Sequence, residues 1–241
     1  MPTDKKALVL SAGGLFAAYQ VGVCEALWPY WRPDIVVGAS AGALNAWMLA
    51  SGASPEELHA EWFRPESARA IKMFDPAPLL QRARRLHRDY PRRLPVGIVA
   101  VRVPWFRQCL FQDEEVTPEH LVATCSVPFF YPMQRVKGRR LVDGGLFEAT
   151  PVWAAASMGA TSAIAINCLP NVLPWPIHVA LSAVRRLRKM PVSPELKAHF
   201  IRPSGWMGTA REAMVWNRGN VERWLELGRK DGEEFVKENL P

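Results

Sequence analysis

Asp34-Ile35-Val36-Val37-Gly38-Ala39-Ser40-Ala41-Gly42-Ala43-Leu44-Asn45-Ala46-Trp47-Met48-Leu49-Ala50 passes through three kinds of local preference in seventeen residues. Ile35 to Val37 is a short β-branched run of the sort that forms a strand buried on both faces. Gly38 to Gly42 holds only small side chains, so the chain turns sharply there. Ala43 to Ala50 is rich in good helix formers. The order is strand, tight turn, helix. Outward from this stretch the pattern repeats: Lys6 to Leu10 (KALVL) runs into Ser11-Ala12-Gly13-Gly14, and helical spacing follows from about Ala17 to Leu27. Val96 to Val103 and Ala163 to Ile166 are further strand candidates, and Thr117-Pro118-Glu119-His120 resembles a helix-capping box. Strands alternating with helices imply an α/β protein, a three-layer α/β/α sandwich with a mostly parallel central sheet. The last segment, Asn220 to Asn239, reads as a surface helix interrupted near Gly228 and Gly232, with one face on the core.

A chain of 241 residues, 49% of them hydrophobic, is long enough for one sizeable core and short for two, so a single domain over residues 1–241 is expected. A formal charge of +7 raises the potential toward any polyanion, and charge alone does not choose among phospholipid headgroups, nucleic acid and acidic protein. The stretch Leu79 to Arg93 carries Arg82, Arg84, Arg85, Arg88, Arg92 and Arg93 beside Leu79, Leu80 and Leu86. Its plain reading is a solvated helix face; its alternative is salt-sensitive contact with an anionic membrane. A second basic stretch is Val184 to Met190. Cys24, Cys109, Cys125 and Cys168 are scattered without CxxC or zinc-finger spacing, which suggests reduced structural thiols in a cytoplasmic protein. Lys5 and Lys6 before an apolar run also fit a secretory signal, but a first strand entering a glycine turn explains the same residues. No other apolar stretch approaches the ~18 to 20 residues that span a bilayer.

The chemistry begins at Gly38-Ala39-Ser40-Ala41-Gly42, a GxSxG between a strand and a helix, where a nucleophile elbow needs it. Small neighbours leave the Ser40 hydroxyl exposed, and the following helix N-terminus favours negative charge beside it. A serine of ordinary acidity needs a base within hydrogen-bond reach. None of His59, His87, His120, His178 and His199 sits in a glycine-framed turn or directly after a strand. Asp143, at the end of Arg140-Leu141-Val142 and before Gly144-Gly145, is better placed, since a partly desolvated carboxylate is a stronger base. On local grounds an ordinary Asp-Gly turn explains it equally well. The turn at Gly13 and Gly14 is a candidate oxyanion hole built of backbone N–H groups. Its spacing fits neither GxGxxG nor GxxxxGK[ST].

Taken together, the glycine turn, Gly38 to Ala46 (GASAGALNA), and Ala123-Thr-Cys-Ser-Val-Pro-Phe-Phe-Tyr-Pro132 leading to Asp143-Gly144-Gly145 resemble the three ordered blocks of patatin-like phospholipases. The resemblance runs from Ala7 to about Ile166 and includes Ala18 to Val23 and Thr150-Pro-Val. It implies a lipid acyl hydrolase or esterase of phospholipase A type that works through an acyl-enzyme. Ser40 would be the nucleophile and Asp143 its sole partner in a Ser–Asp dyad, with Gly13, Gly14 and Ala41 as oxyanion donors. Asn45 matches a position often filled by Asn. No cofactor or metal is implied, the expected partner is an acyl-ester or lipid substrate, and nucleic acid is not expected. The family's first block usually reads Gly-Gly-Gly-x-Arg/Lys-Gly, whereas this chain has Ala12-Gly13-Gly14-Leu15-Phe16-Ala17. Phe16 therefore stands in place of a cation and is expected to make the pocket entrance apolar. A non-catalytic lipid- or membrane-binding module of the same fold, or an acyltransferase, are the alternative readings.

Overall fold

In the computed structural model, residues 4–69, 75–169 and 196–240 are described. The stretch containing His178 and Val184 to Met190 lies outside them.

The central strands form where the apolar runs were read. β1 (Lys6–Leu10), β2 (Ile35–Ala39) and β3 (Val96–Val103) are joined by β7 (Ser162–Ile166) in one mixed sheet of eight strands. The sheet also contains β4 (Arg107–Gln112), β5 (Gln134–Val136), β6 (Arg139–Val142) and β8 (Lys197–Ile201). Its order is β5-β6-β3-β2-β1-β7-β8, with β4 also paired to β3. Four pairings are parallel (β1–β2, β1–β7, β2–β3, β7–β8) and three are antiparallel (β3–β4, β3–β6, β5–β6).

Helices cover both faces. One face carries a large apolar core shared with α1 (Ala18–Leu27), α2 (Ala41–Ala50), α3 (Pro55–Trp62), α5 (Ala77–Asp89) and α6 (Pro118–Thr124). α4 (Pro65–Arg69) links α3 toward α5, and α8 (Arg218–Asn239) lies against α1. The opposite face holds a smaller core around Val9, Val37, Val99 and Trp153, covered by α7 (Val152–Ser157).

β3 has three partners, and their register positions the site. β2 pairs with residues 96–99 of β3, and β6 pairs with residues 101–103. β4 overlaps both ranges, from Gly97 to Arg102, so it occupies one edge of β3 while β2 and β6 share the other. A strand has only two hydrogen-bonding edges. β2 and β6 therefore meet end to end: Ala39 stands opposite Val99 and Val142 opposite Val101. The residues that follow them, Ser40 and Asp143, leave the sheet at one point.

Three local expectations change. Residues 218–239 form one unbroken helix, not an interrupted one. A Cβ on Gly228 would stand 2.1 Å from the Tyr19 carbonyl oxygen, and one on Gly232 would stand 2.8 Å from the Ala26 Cβ. Those glycines let α8 approach α1 rather than break it. Phe16 does not border a pocket entrance: it is buried in the large core, edge-on to Trp224 at 5.1 Å. The cation of the usual first block is replaced here by a packing residue. The third change concerns α5, whose Leu79 and Leu86 face the core. Its Arg82 and Arg85 bind the buried Glu61 carboxylate at 3.2 and 2.5 Å. Arg84 pairs with Glu119, Arg88 with Asp89, and Arg92 with Asp113 and Glu114. The basic stretch is thus largely neutralised from within the fold.

Candidate active site

Ser40 caps α2 with φ 54° and ψ −133°, a conformation that a non-glycine residue adopts at a cost of order 1–3 kcal/mol. Close packing holds it there. A Cβ on Gly42 would meet the Ser11 carbonyl oxygen at 2.4 Å, and one on Gly38 would meet the Gly42 carbonyl oxygen at 2.5 Å. The elbow thus folds back onto its own helix and onto the end of β1, and the two motif glycines are where backbone meets backbone.

Asp143 is buried at the end of β6. Its Oδ1 accepts the Gly145 N–H at 2.7 Å, while its Oδ2 has no hydrogen-bond partner. The Ser40 hydroxyl bears on the carboxyl as a hydrogen-bonding neighbour, without closing a well-aligned bond. Burial pushes the carboxyl pKa up to about 6; Ser40 and the Gly145 N–H oppose the rise only in part. A carboxylate of that basicity is ionised at neutral pH and still able to take a proton. Behind the pair, Gly144 lies against β3 and Gly145 against Ala12, where a Cβ would meet the Val99 carbonyl oxygen at 1.9 Å and the Ala12 Cβ at 2.2 Å.

The first glycine turn approaches from β1. Its Ala12 N–H donates to the Ala149 carbonyl and its Leu15 N–H to the Ala213 carbonyl. Between them the Gly13 and Gly14 N–H groups donate to no acceptor among the described residues, and neither does the Ala41 N–H at the start of α2. These are the donors named from sequence. Gly14 has φ +56°, and a Cβ there would meet the Ala213 carbonyl oxygen at 2.5 Å. Beneath the turn runs a buried polar chain. Trp62 Nε1 donates to Asn45 Oδ1, Asn45 Nδ2 donates to Gln20 Oε1 and to the Ala17 carbonyl, and Gln20 Nε2 donates to the Ser11 carbonyl at 2.7 Å. Asn45 therefore ties the helix after the elbow to the turn before it.

Sequence reasoning gave no role to Thr124, Cys125 and Ser126, although it quoted them. Thr124 Oγ1 accepts the Ser40 N–H at 2.8 Å and donates to the Val99 carbonyl at 2.5 Å. The Thr124 and Ser126 carbonyls accept from the Gly144 and Asp143 N–H groups. The end of α6 thereby joins elbow, β3 and acid into one unit. The Cys125 thiol lies by both Ser40 and Asp143, and burial raises its pKa, so it stays protonated. The available signal was polar residues, Thr-Cys-Ser, ending an apolar helix just before proline.

The four histidines among the described residues are elsewhere. His59 contacts Glu25, His87 stacks on Trp47, and His120 completes the capping box of α6 with Thr117. His199 is exposed on β8.

The sequence model of the family described as patatin-like phospholipase matches residues 8–97 and 72–156. Among solved structures, VipD from Legionella pneumophila aligns with a TM-score of 0.57 at 11% identity, over 98% of this chain and 67% of that one. The type III effector protein ExoU aligns with a TM-score of 0.45 at 13% identity, over 98% of this chain and 53% of that one.

Proposed function

The chain belongs to the patatin-like phospholipase family, and from that membership we propose that it hydrolyses acyl esters of lipids through an acyl-enzyme on Ser40, with Asp143 as the sole base. One observation carries the reading: a strained, elbow-borne serine adjoins a buried carboxyl whose second oxygen lacks a partner.

In the proposed reaction Asp143 takes the Ser40 hydroxyl proton as Oγ attacks the ester carbonyl. The carbonyl oxygen becomes an oxyanion, held by the Gly13, Gly14 and Ala41 N–H groups, each such donor being worth about 10²- to 10³-fold in rate. Collapse expels the alcohol, which leaves with the proton from Asp143. Water then gives its proton to Asp143 and attacks the acyl carbonyl, and the carboxylic acid departs as Ser40 regains its proton. Burial serves this cycle by keeping the carboxylate basic near neutral pH.

Hydrolysis of p-nitrophenyl esters of short and long chain length tests the reading. The parent protein is expected to turn over, and Ser40→Ala to fall to background while remaining folded. Turnover retained in Ser40→Ala would refute it.

A further inference from the structure

Outside the site, one corner of the sheet combines features that each cost stability. Arg102 stands directly opposite Arg107 in the β3–β4 pair, and Arg135 directly opposite Arg140 in the β5–β6 pair. Like charges directly across an antiparallel pair repel. With Lys137 and Arg139 they make six cations, and no aspartate or glutamate occurs in residues 96–112 or 127–142. None of the six is held in an ion pair among the described residues, unlike the arginines of α5. Glu115, which lines a small pocket with Lys137 and Arg139, is an acid beside this corner without pairing to either, so the cations there outnumber the carboxylates.

The same corner exposes large apolar side chains: Trp105 63%, Phe106 45%, Phe129 92% and Met133 54%. Phe106 and Phe129 also hold positive φ, 48° and 72°, a region that favours glycine. Strain, apolar exposure and like-charge pairing together on connecting loops point to a surface shaped for a partner. Arg102, Pro104, Trp105 and Arg107 line a cleft of about 580 Å³. Val101 pairs with Val142, the residue before Asp143, so Trp105 lies only about 13 Å further along the chain from the site's level.

We propose that the β3–β4 tip, the loop before β5 and the β5–β6 hairpin form a docking surface for an anionic lipid bilayer. The cations meet headgroup phosphates while the aromatic side chains enter the interface. Aromatic belts fringed with Lys and Arg suit such a boundary, and the fringe alone would suit any polyanion. The lipid substrate of the proposed reaction favours a bilayer as the occupant, and the oligonucleotide arm below tests the stacking of bases that aromatic side chains beside cations also support. This deepens the proposed hydrolase reading and rests on it for the origin of the substrate, so docking is best measured apart from turnover.

Vesicle co-sedimentation of the Ser40→Ala protein does this, because the lipid is not consumed. Binding is expected to phosphatidylcholine vesicles containing phosphatidylglycerol, weak to phosphatidylcholine alone, and reduced by high salt. Phe129→Gly removes an exposed ring and relieves its backbone strain, so binding should fall about tenfold with no loss of melting temperature. Arg107→Glu with Arg139→Glu should abolish anionic binding, whereas Arg84→Glu with Arg88→Glu on α5 should leave it largely intact. Equal pelleting with neutral and anionic vesicles would overturn the proposal. So would parental binding by the folded Phe129→Gly and Arg107→Glu/Arg139→Glu proteins, or capture of a single-stranded oligonucleotide as tight as of vesicles and indifferent to Phe129. Ester turnover by the parent on soluble substrates, with no vesicle binding, would sink the docking surface and leave the hydrolase reading standing.

Discussion

Asp143 is ionised in the folded protein at a cost. Its pKa rises from 3.8 to about 6 because burial penalises the charge, so the folded chain holds this proton more tightly than the unfolded chain does. The stability linked to it is fully present below about pH 4 and lost as pH rises through 6; by pH 8 the deficit is about 3 kcal/mol. Asp143→Asn is therefore expected to raise unfolding stability by up to about 3 kcal/mol at pH 8 and by little at pH 4, while ester turnover falls by about 10²- to 10⁴-fold. Denaturant unfolding at the two pH values, with rates alongside, checks both halves. A stabilising substitution that removes activity marks a site where stability is given up for function. The proposed mechanism also gives kcat/KM an acid limb with a midpoint near 6, retained in each of the five His→Ala variants. The placement of Ser40 and Asp143 at sheet ends was legible in sequence because each ends an apolar run at small residues. Thr124 was not, because a threonine near a helix end has many ordinary uses and its two partners lie 25 and 84 positions away.

At the scale of elements, α8 shows why a propensity reading went astray. Gly228 and Gly232 are poor helix residues, costing up to about 1 kcal/mol each against alanine, and this suggested an interruption. Close approach decides otherwise, since a Cβ on Gly228 would lie 2.1 Å from α1 backbone. Gly228→Ala is expected to lose about 2–4 kcal/mol despite the better propensity, because α8 must shift and loosen the Tyr19–Asp231 hydrogen bond and the Phe16–Trp224 contact. At Gly219 the nearest foreign atom to a Cβ is 3.5 Å away, so Gly219→Ala should be neutral or slightly stabilising. Thermal unfolding of the two proteins separates packing from propensity. The central strands were legible as apolar runs; β5 was not, being three residues long, and β6 was visible only as the Leu141-Val142 run before Asp143, its other half being arginine. Their existence is a tertiary fact, fixed by the free edge of β3 beyond the end of β2.

Across the whole molecule, sequence-distant segments converge on one point. The turn after β1 brings N–H groups that have no acceptor among the described residues, the ends of β2 and β6 bring Ser40 and Asp143, and α6 brings the threonine that joins them. The ordered blocks allowed that convergence to be expected before any coordinates. What they left out was the role of the C-terminal helix, which buries Trp224 against Phe16 beside the first turn. The central claim is that Ser40 is a nucleophile activated by Asp143, and labelling with a serine-directed fluorophosphonate followed by peptide mass analysis tests it without knowledge of the natural substrate. The account predicts one adduct, on the peptide containing Ser40, absent in Ser40→Ala and formed at least about a hundredfold more slowly in Asp143→Asn. An adduct on another serine, or undiminished labelling in a folded Asp143→Asn protein, would contradict it.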